Sequence, residues 1–169
     1  MSNTEYFVGE KFIKNRTQLS KNIDFADISN NIEVAAVTYV REILGYTFFK
    51  DLLEKYNDQT LSGKEIDLVE IIKYIVAYRA ADLTIPFLSF NIKNKGVQTQ
   101  SGEFSQSVGL EILNYIRNEV KKFAHINENK LKEYLEENKE DFPIWKSKEN
   151  RSIKSPNLKD SGDIGFDII

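Results

Sequence analysis

Apolar side chains recur at steps of three and four along most of this chain, and the places where that rhythm stops divide it. The first long run is Ile32, Ala35, Ala36, Tyr39, Val40, Ile43, Leu44, Phe48, Leu52 and Tyr56. This is the spacing of one face of a 3.6-residue helix, and it predicts a helix over residues 29–57. Ser29, Asn30 and Asn31 offer N-cap oxygens, and Glu33 suits the first turn. Gly45 falls in mid-pattern, where glycine costs about 1 kcal/mol relative to alanine. It either kinks the helix or lets another backbone come close.

A polar stretch, Asn57-Asp58-Gln59-Thr60, separates this run from the next, and Ser62-Gly63-Lys64-Glu65 has capping-box spacing. A second helix is predicted over 63–84. Its apolar residues (Ile66, Leu68, Val69, Ile71, Ile72, Ile75 and onward to Leu83) cover more than one stripe. Such a helix is either central to its bundle or buried on a further face by another subunit. Ile85 precedes Pro86, which predicts a stop there.

From Phe87 the period changes. Apolar residues alternate at 88, 90 and 92, Asn94-Lys95-Gly96 is a turn signal, and Val97 to Gln100 can return as a strand. Residues 87–105 read as a hairpin or a long extended loop. A third helix is predicted from Ser105 or Ser107 to Ala124, with Val108, Ile112, Tyr115, Ile116, Val120 and Phe123 as its core stripe. A fourth is predicted from an Asn127 cap to Asn138, with Leu131, Tyr134 and Leu135 as its seam. The fold class expected is mainly α: a four-helix bundle-like body with an inserted β-hairpin or extended loop, and extended N- and C-terminal arms. The organisation expected is an arm at 1–27, a helical domain at 28–142 and an extended tail at 143–169.

Composition narrows the function classes. At 169 residues with 41% hydrophobic positions, the chain has the length of one domain and enough apolar side chains for one core. The net charge of −3 argues against a dedicated nucleic-acid binder, which carries a basic excess. There is no cysteine and a single histidine, so thiol catalysis, disulfide stapling and imidazole-thiolate metal sites are excluded. No apolar run approaches the length that spans a bilayer, and Met-Ser-Asn-Thr-Glu lacks the regions of a secretion signal. A soluble, intracellular domain is the expectation.

Chemical motifs are sparse. His125 has only Asn127 as a polar neighbour in sequence, and it reads as a structural residue at a helix C-terminus. Glu136, Glu137, Glu140 and Asp141 alternate with Lys132, Lys139 and Lys146, which is the signature of a solvated helix face. Asp160, Asp163 and Asp167 lack the ligand alternation and closing glutamate of a calcium loop. No phosphate-binding glycine loop, dinucleotide fingerprint, nucleophile elbow or zinc spacing is present. The expectation is no enzyme, no cofactor and no metal.

The order of features is more specific than any one of them. Phe12 to Asp24 reads F-I-x-x-R-T-x-L-S-x-N-I-D. Ile28, Ile32, Ala35 and Ala36 follow, then Glu42-Ile43-Leu44-Gly45-Tyr46-x-Phe48-Phe49-x-x-Leu52, a tyrosine-bearing apolar helix from Tyr74 to Leu83, and a Gly96-Val97 loop. This order resembles the small head–tail connector (adaptor, or ring) proteins of tailed phages of Bacteroides-type hosts, including crAss-like phages. The resemblance covers about residues 7–140. It implies a virion structural protein, assembled in the host cytoplasm as a homo-oligomeric ring, commonly twelvefold, between the portal protein and the tail or further rings. DNA would pass through without sequence-specific binding, and no membrane is involved. The arm, the 87–105 loop and the tail are then expected to touch neighbouring chains. The candidate contacts are Phe7, Phe12, Tyr46, Phe49, Phe90, Gly96, Val97, Trp145, Phe166, Ile168 and Ile169. Trp145 packs equally well on its own bundle. The alternatives are a tail-terminator or stopper ring, and a small helical enzyme or regulator with a ligand site between the second and third helices.

Overall fold

In a computed structural model, the chain is described at residues 5–17, 19, 26–88, 90–93, 96–99 and 110–145. The elements, in order, are α1 (Glu10–Arg16), α2 (Ala26–Ala35), a π-helical segment (Ala36–Val40), α3 (Arg41–Leu44), α4 (Tyr46–Asn57), α5 (Lys64–Leu88), β1 (Phe90–Lys93), β2 (Gly96–Thr99) and α6 (Leu110–Glu137). The protein is mainly helical. β1 and β2 form an antiparallel ladder in which Phe90 opposes Thr99 and Ile92 opposes Val97.

The segment expected as one helix over 29–57 is three helices and a π turn, and the spacing of its buried residues explains why. Ile28, Ile32, Ala36, Val40, Leu44, Phe48 and Leu52 are all buried, and each lies four residues after the last. In a regular α-helix a step of four overshoots a full turn by about 40°. Six such steps would carry the stripe most of the way round the helix. The π segment, with its wider turn, takes up part of that drift. Gly45 takes up the rest by ending α3 and starting α4 at φ 82°, ψ 156°. Its N–H donates to the Arg41 carbonyl at 2.8 Å, and its own carbonyl accepts from Phe49 N–H at 3.0 Å. Gly45 therefore joins two helices and is not a kink within one.

α5 is the central helix. It packs against α1, α2, the π segment and α6, which accounts for apolar residues on more than one stripe. Its own chain covers most of these faces, leaving Ile66 and Phe87 at its two ends exposed. The capping box forms from its glutamate side: Glu65 Oε2 accepts the Ser62 N–H at 3.2 Å, and Oε1 pairs with Lys55 at 2.7 Å. The helix runs through Pro86 to Leu88 instead of ending at Ile85. Pro86 lies in the last turn, so it removes a single ladder bond, the one to the Asp82 carbonyl.

The third and fourth helices expected from sequence are one element of 28 residues, α6. Asn127, read as a cap, donates its side-chain amide to the Phe123 carbonyl one turn back at 2.8 Å and leaves the backbone helical. No glycine or proline lies between 110 and 142 to break it. The body is therefore not four separate helices in sequence order. It is a long antiparallel pair, α5 and α6, with α1, α2 and the π segment against α5.

The described part of the N-terminal arm packs on this body. Asn57 holds the Glu5 backbone from both sides, accepting its N–H at 2.9 Å and donating to its carbonyl at 3.2 Å. Phe7 adopts φ 64°, a left-handed conformation costly for a bulky residue. It is held there with its ring edge-on to Phe49 at 5.8 Å and tilted against Tyr56 at 5.4 Å.

Candidate functional site

Two polar clusters lie along the helical body. At the first, the Arg79 guanidinium reaches Glu128 Oε1 on α6 at 2.7 Å and lies over the Tyr39 ring at 4.1 Å. His125 Nδ1 is 3.4 Å from the other Glu128 oxygen. Tyr39 comes from the π segment, so the widened turn positions the aromatic face that covers the cation. Burial alone would lower the Arg79 pKa, but the Glu128 carboxylate outweighs this and holds it above its ordinary value.

At the second, Asp82 is buried and pairs with Arg117 at 3.1 Å, with Lys121 at 4.0 Å. Two residues further along α5, Thr84 Oγ1 accepts from Asn31 on α2 at 3.0 Å and donates to the Ala80 carbonyl at 2.7 Å. Each buried carboxylate is thus met by a cation from the facing helix. This arrangement fixes the register of α2, α5 and α6. His125 lies in mid-helix with its ring largely in solvent, not at a helix C-terminus. Among the described residues, no group of three or more metal-ligating side chains occurs. An open depression of about 490 Å³ is lined by Gly9, Lys11, Phe12, Asn15 and Arg16 along α1.

The contact residues expected from sequence separate sharply. Phe7 and Phe49 are corrections, because both are buried in the chain's own core and present no surface to a partner. Phe48 is buried as well, so the adjacent aromatics at 46, 48 and 49 resolve into two core residues and one exposed tyrosine. Phe12 is half-buried, edge-on to Tyr74 at 5.3 Å. Trp145 packs on its own bundle, with its indole N–H donating to the Ile43 carbonyl at 3.2 Å, and it keeps a partly exposed edge. Tyr46 stands 68% exposed. Phe90, Gly96 and Val97 lie on the β1–β2 ladder. Phe166, Ile168 and Ile169 lie outside the described residues.

Sequence reading missed a second apolar stripe on α6. Leu113, Val120, Ala124, Leu131 and Leu135 pack toward the core, whereas Ile112, Tyr115, Phe123 and Ile126 are exposed. On a helical wheel the second set lies roughly 130° from the first. The signal was present: merging the two sets makes a stripe too broad for one buried face, and Glu119 falls in the middle of the exposed one.

The stretch that carries α3 to α6, the ion pairs of both polar clusters and Trp145 also carries a family match. The model of DUF6712, a family of unknown function, matches residues 40–155, more than half of the chain. The chain belongs to DUF6712. The DUF6712 region begins at the last residue of the π segment and leaves α1 and α2 outside it. Neither a curated protein nor a solved structure matches the chain. No helix among the described residues is long and apolar enough to cross a membrane.

Proposed function

We propose that this DUF6712 protein is a virion structural component, a ring protein of the portal–tail connector of a tailed phage, whose work is assembly. One observation carries the assembly part of the reading. The core is already filled, yet Tyr46, Phe87, Ile112, Tyr115 and Ile144 remain 46–68% exposed. Isolated exposed apolar residues are ordinary, but several large ones grouped on a small body mark surfaces that meet another protein. The order of motifs from Phe12 to Val97 supports the connector assignment within that class. The helical body with a β-hairpin inserted between α5 and α6 gives an element at one end that can reach a neighbour. The net charge of −3 suits a conduit through which DNA passes without adhering, since phosphate affinity comes from Lys and Arg.

The test is to image the purified chain alone and mixed with a candidate portal protein. The reading expects closed rings, commonly twelvefold, in at least one of the two samples. Monomers in both, or a gene neighbourhood without portal, terminase and capsid genes, would overturn it.

A further inference from the structure

The exposed stripe of α6 has a layout that the other exposed apolar residues lack. Ile112, Tyr115, Phe123 and Ile126 are 57%, 67%, 41% and 42% exposed and share one helix face. They span about 21 Å of helix. Val34, Tyr46, Ile66, Phe87 and Ile144 are exposed too, but they stand on α2, on α4, at the two ends of α5 and after α6, and none lies on this face. Glu119 sits at the centre of the stripe, half-buried. From Ile112 through Tyr115, Glu119 and Phe123 to Ile126 the steps are three, four, four and three. The series therefore reads the same in both directions. Beyond Ile126 the same face turns polar, with Lys130 and Glu133.

We infer that this stripe is covered by the same stripe of a second copy, the two α6 helices running antiparallel about a two-fold axis beside Glu119. A like-to-like contact needs a surface that complements itself when reversed, and the palindromic steps supply one. Reversal about residue 119 sets Ile112 against the partner's Ile126, and Tyr115 against the partner's Phe123. Each apolar side chain then meets another. The flanking charges agree. Glu111, Asn114, Asn118, Lys122 and His125 run along one edge of the stripe. On reversal Glu111 comes beside the partner's His125, and Lys122 falls between the partner's Asn114 and Asn118. No like charges oppose one another along that edge. Glu119 meets its own counterpart at the axis, with Lys122 of each copy one turn away. A single polar residue in an apolar seam costs stability and fixes register and orientation. The area agrees as well. With about 200 Å² for an aromatic side chain and about 150 Å² for isoleucine, each copy exposes about 350 Å² of apolar area here, about 700 Å² for the pair. At a non-polar share of somewhat over half, that is a contact of about 1,200 Å², the lower bound of a specific interface. Any other partner would have to present the same spacing in reverse, which a second copy does by construction.

This pair goes beyond the ring reading, because a two-fold contact is satisfied by two copies and does not propagate round a ring. The chain has no cysteine, so a single introduced thiol reports on this geometry. In the full chain, Glu119→Cys places the thiol beside the axis. Oxidation with copper–phenanthroline should then yield a dimer of twice the 19.6-kDa subunit. Its yield should be roughly tenfold that of Glu136→Cys at the far end of α6, where the reversed register brings no thiol within disulfide reach. Ile112→Cys and Ile126→Cys should each give little dimer alone and abundant dimer when mixed, since each position lies about 20 Å from its own counterpart and against the other. Adding Tyr115→Ser to Glu119→Cys should cut the yield roughly fivefold, as loss of an aromatic anchor does, and Tyr115→Phe should preserve it. Circular dichroism checks that each variant is folded, and Ile112→Ser serves where Tyr115→Ser is not. Equal crosslinking at positions 119 and 136, or as much dimer from Ile112→Cys alone as from the mixture, overturns the two-fold pair. Rings with a candidate portal protein but no dimer through position 119 leave the ring reading standing and reject the pair. A dimer through position 119 with no ring in either sample keeps the pair and rejects the ring reading.

Discussion

Replacing Gly45 by alanine distinguishes two structures by the sign of its effect. In a continuous helix over 29–57, Gly45→Ala would stabilise the protein by about 1 kcal/mol, the propensity difference between the two residues. The structure places Gly45 at φ 82°, ψ 156°, between two helices. That region is essentially closed to residues with a Cβ, and occupying it costs about 1–3 kcal/mol. The backbone cannot rotate to relieve the strain without breaking either the Gly45 N–H bond to Arg41 or the Phe49 bond to Gly45. It would also turn the buried residues of α4, Phe48, Phe49 and Leu52, away from the core. Urea unfolding followed by circular dichroism is the assay. With a slope of about 2 kcal/mol per molar urea, the midpoint should fall by about 0.5–1.5 M. Gly63→Ala is the comparison. Gly63 has φ 45° and open space where a Cβ would sit, so alanine there costs about 1 kcal/mol, the ordinary left-handed penalty. The expected order is Gly45→Ala below Gly63→Ala below wild type. An unchanged or raised midpoint for Gly45→Ala would refute the helix break and the register argument built on it.

Glu128→Ala removes the carboxylate that faces Arg79 and leaves a cation enclosed by Tyr39; thermal and urea unfolding should show a loss of about 2–3 kcal/mol, somewhat under the cost of breaking a fully buried pair. Leu131→Ala opens a cavity in the α6 core stripe and should cost about 2–5 kcal/mol, whereas Ile126→Ala on the exposed stripe should be nearly neutral for the isolated monomer. The Tyr56 hydroxyl is pushed above its ordinary value of 10.0, first by burial and then by the carboxylates of Glu5 and Glu70. A group whose pKa is higher folded than unfolded contributes stability below the unfolded pKa and loses it as pH rises through the folded one. Stability should therefore decline above pH 10, and Tyr56→Phe should shrink that decline in an alkaline unfolding series followed by tyrosinate absorbance.

What could be read from the sequence depended on whether a local rule or a tertiary one decided the outcome. The α5 start was legible because the Ser62–Glu65 spacing acts within one turn. The centrality of α5 was legible as one of two options, since a helix apolar on several faces must be covered by something; only the packing showed that its own chain covers most of those faces. The break in the first helix was hidden by counting steps of three and four together. One buried series, Ile28 to Leu52, steps by four, with Ala35 and Phe49 beside it, and the π turn and Gly45 keep that series facing the core. The continuity of α6 was missed because Asn127 has a side chain suited to both a cap and a backward bond to Phe123, and its neighbours chose the second. Phe7 and Phe49 were assigned to a partner because an arm and an aromatic cluster look unburied in one dimension. Their meeting, across more than 40 positions of chain, is a tertiary event. Tyr46 was separated from its neighbours by helix phase alone.

The measurement closest to the central claim is the mass of the purified chain in solution, alone and with a candidate portal protein. One subunit weighs 19.6 kDa. The account predicts a discrete closed multiple of that mass in at least one of the two samples. A single 19.6-kDa species in both samples would contradict it.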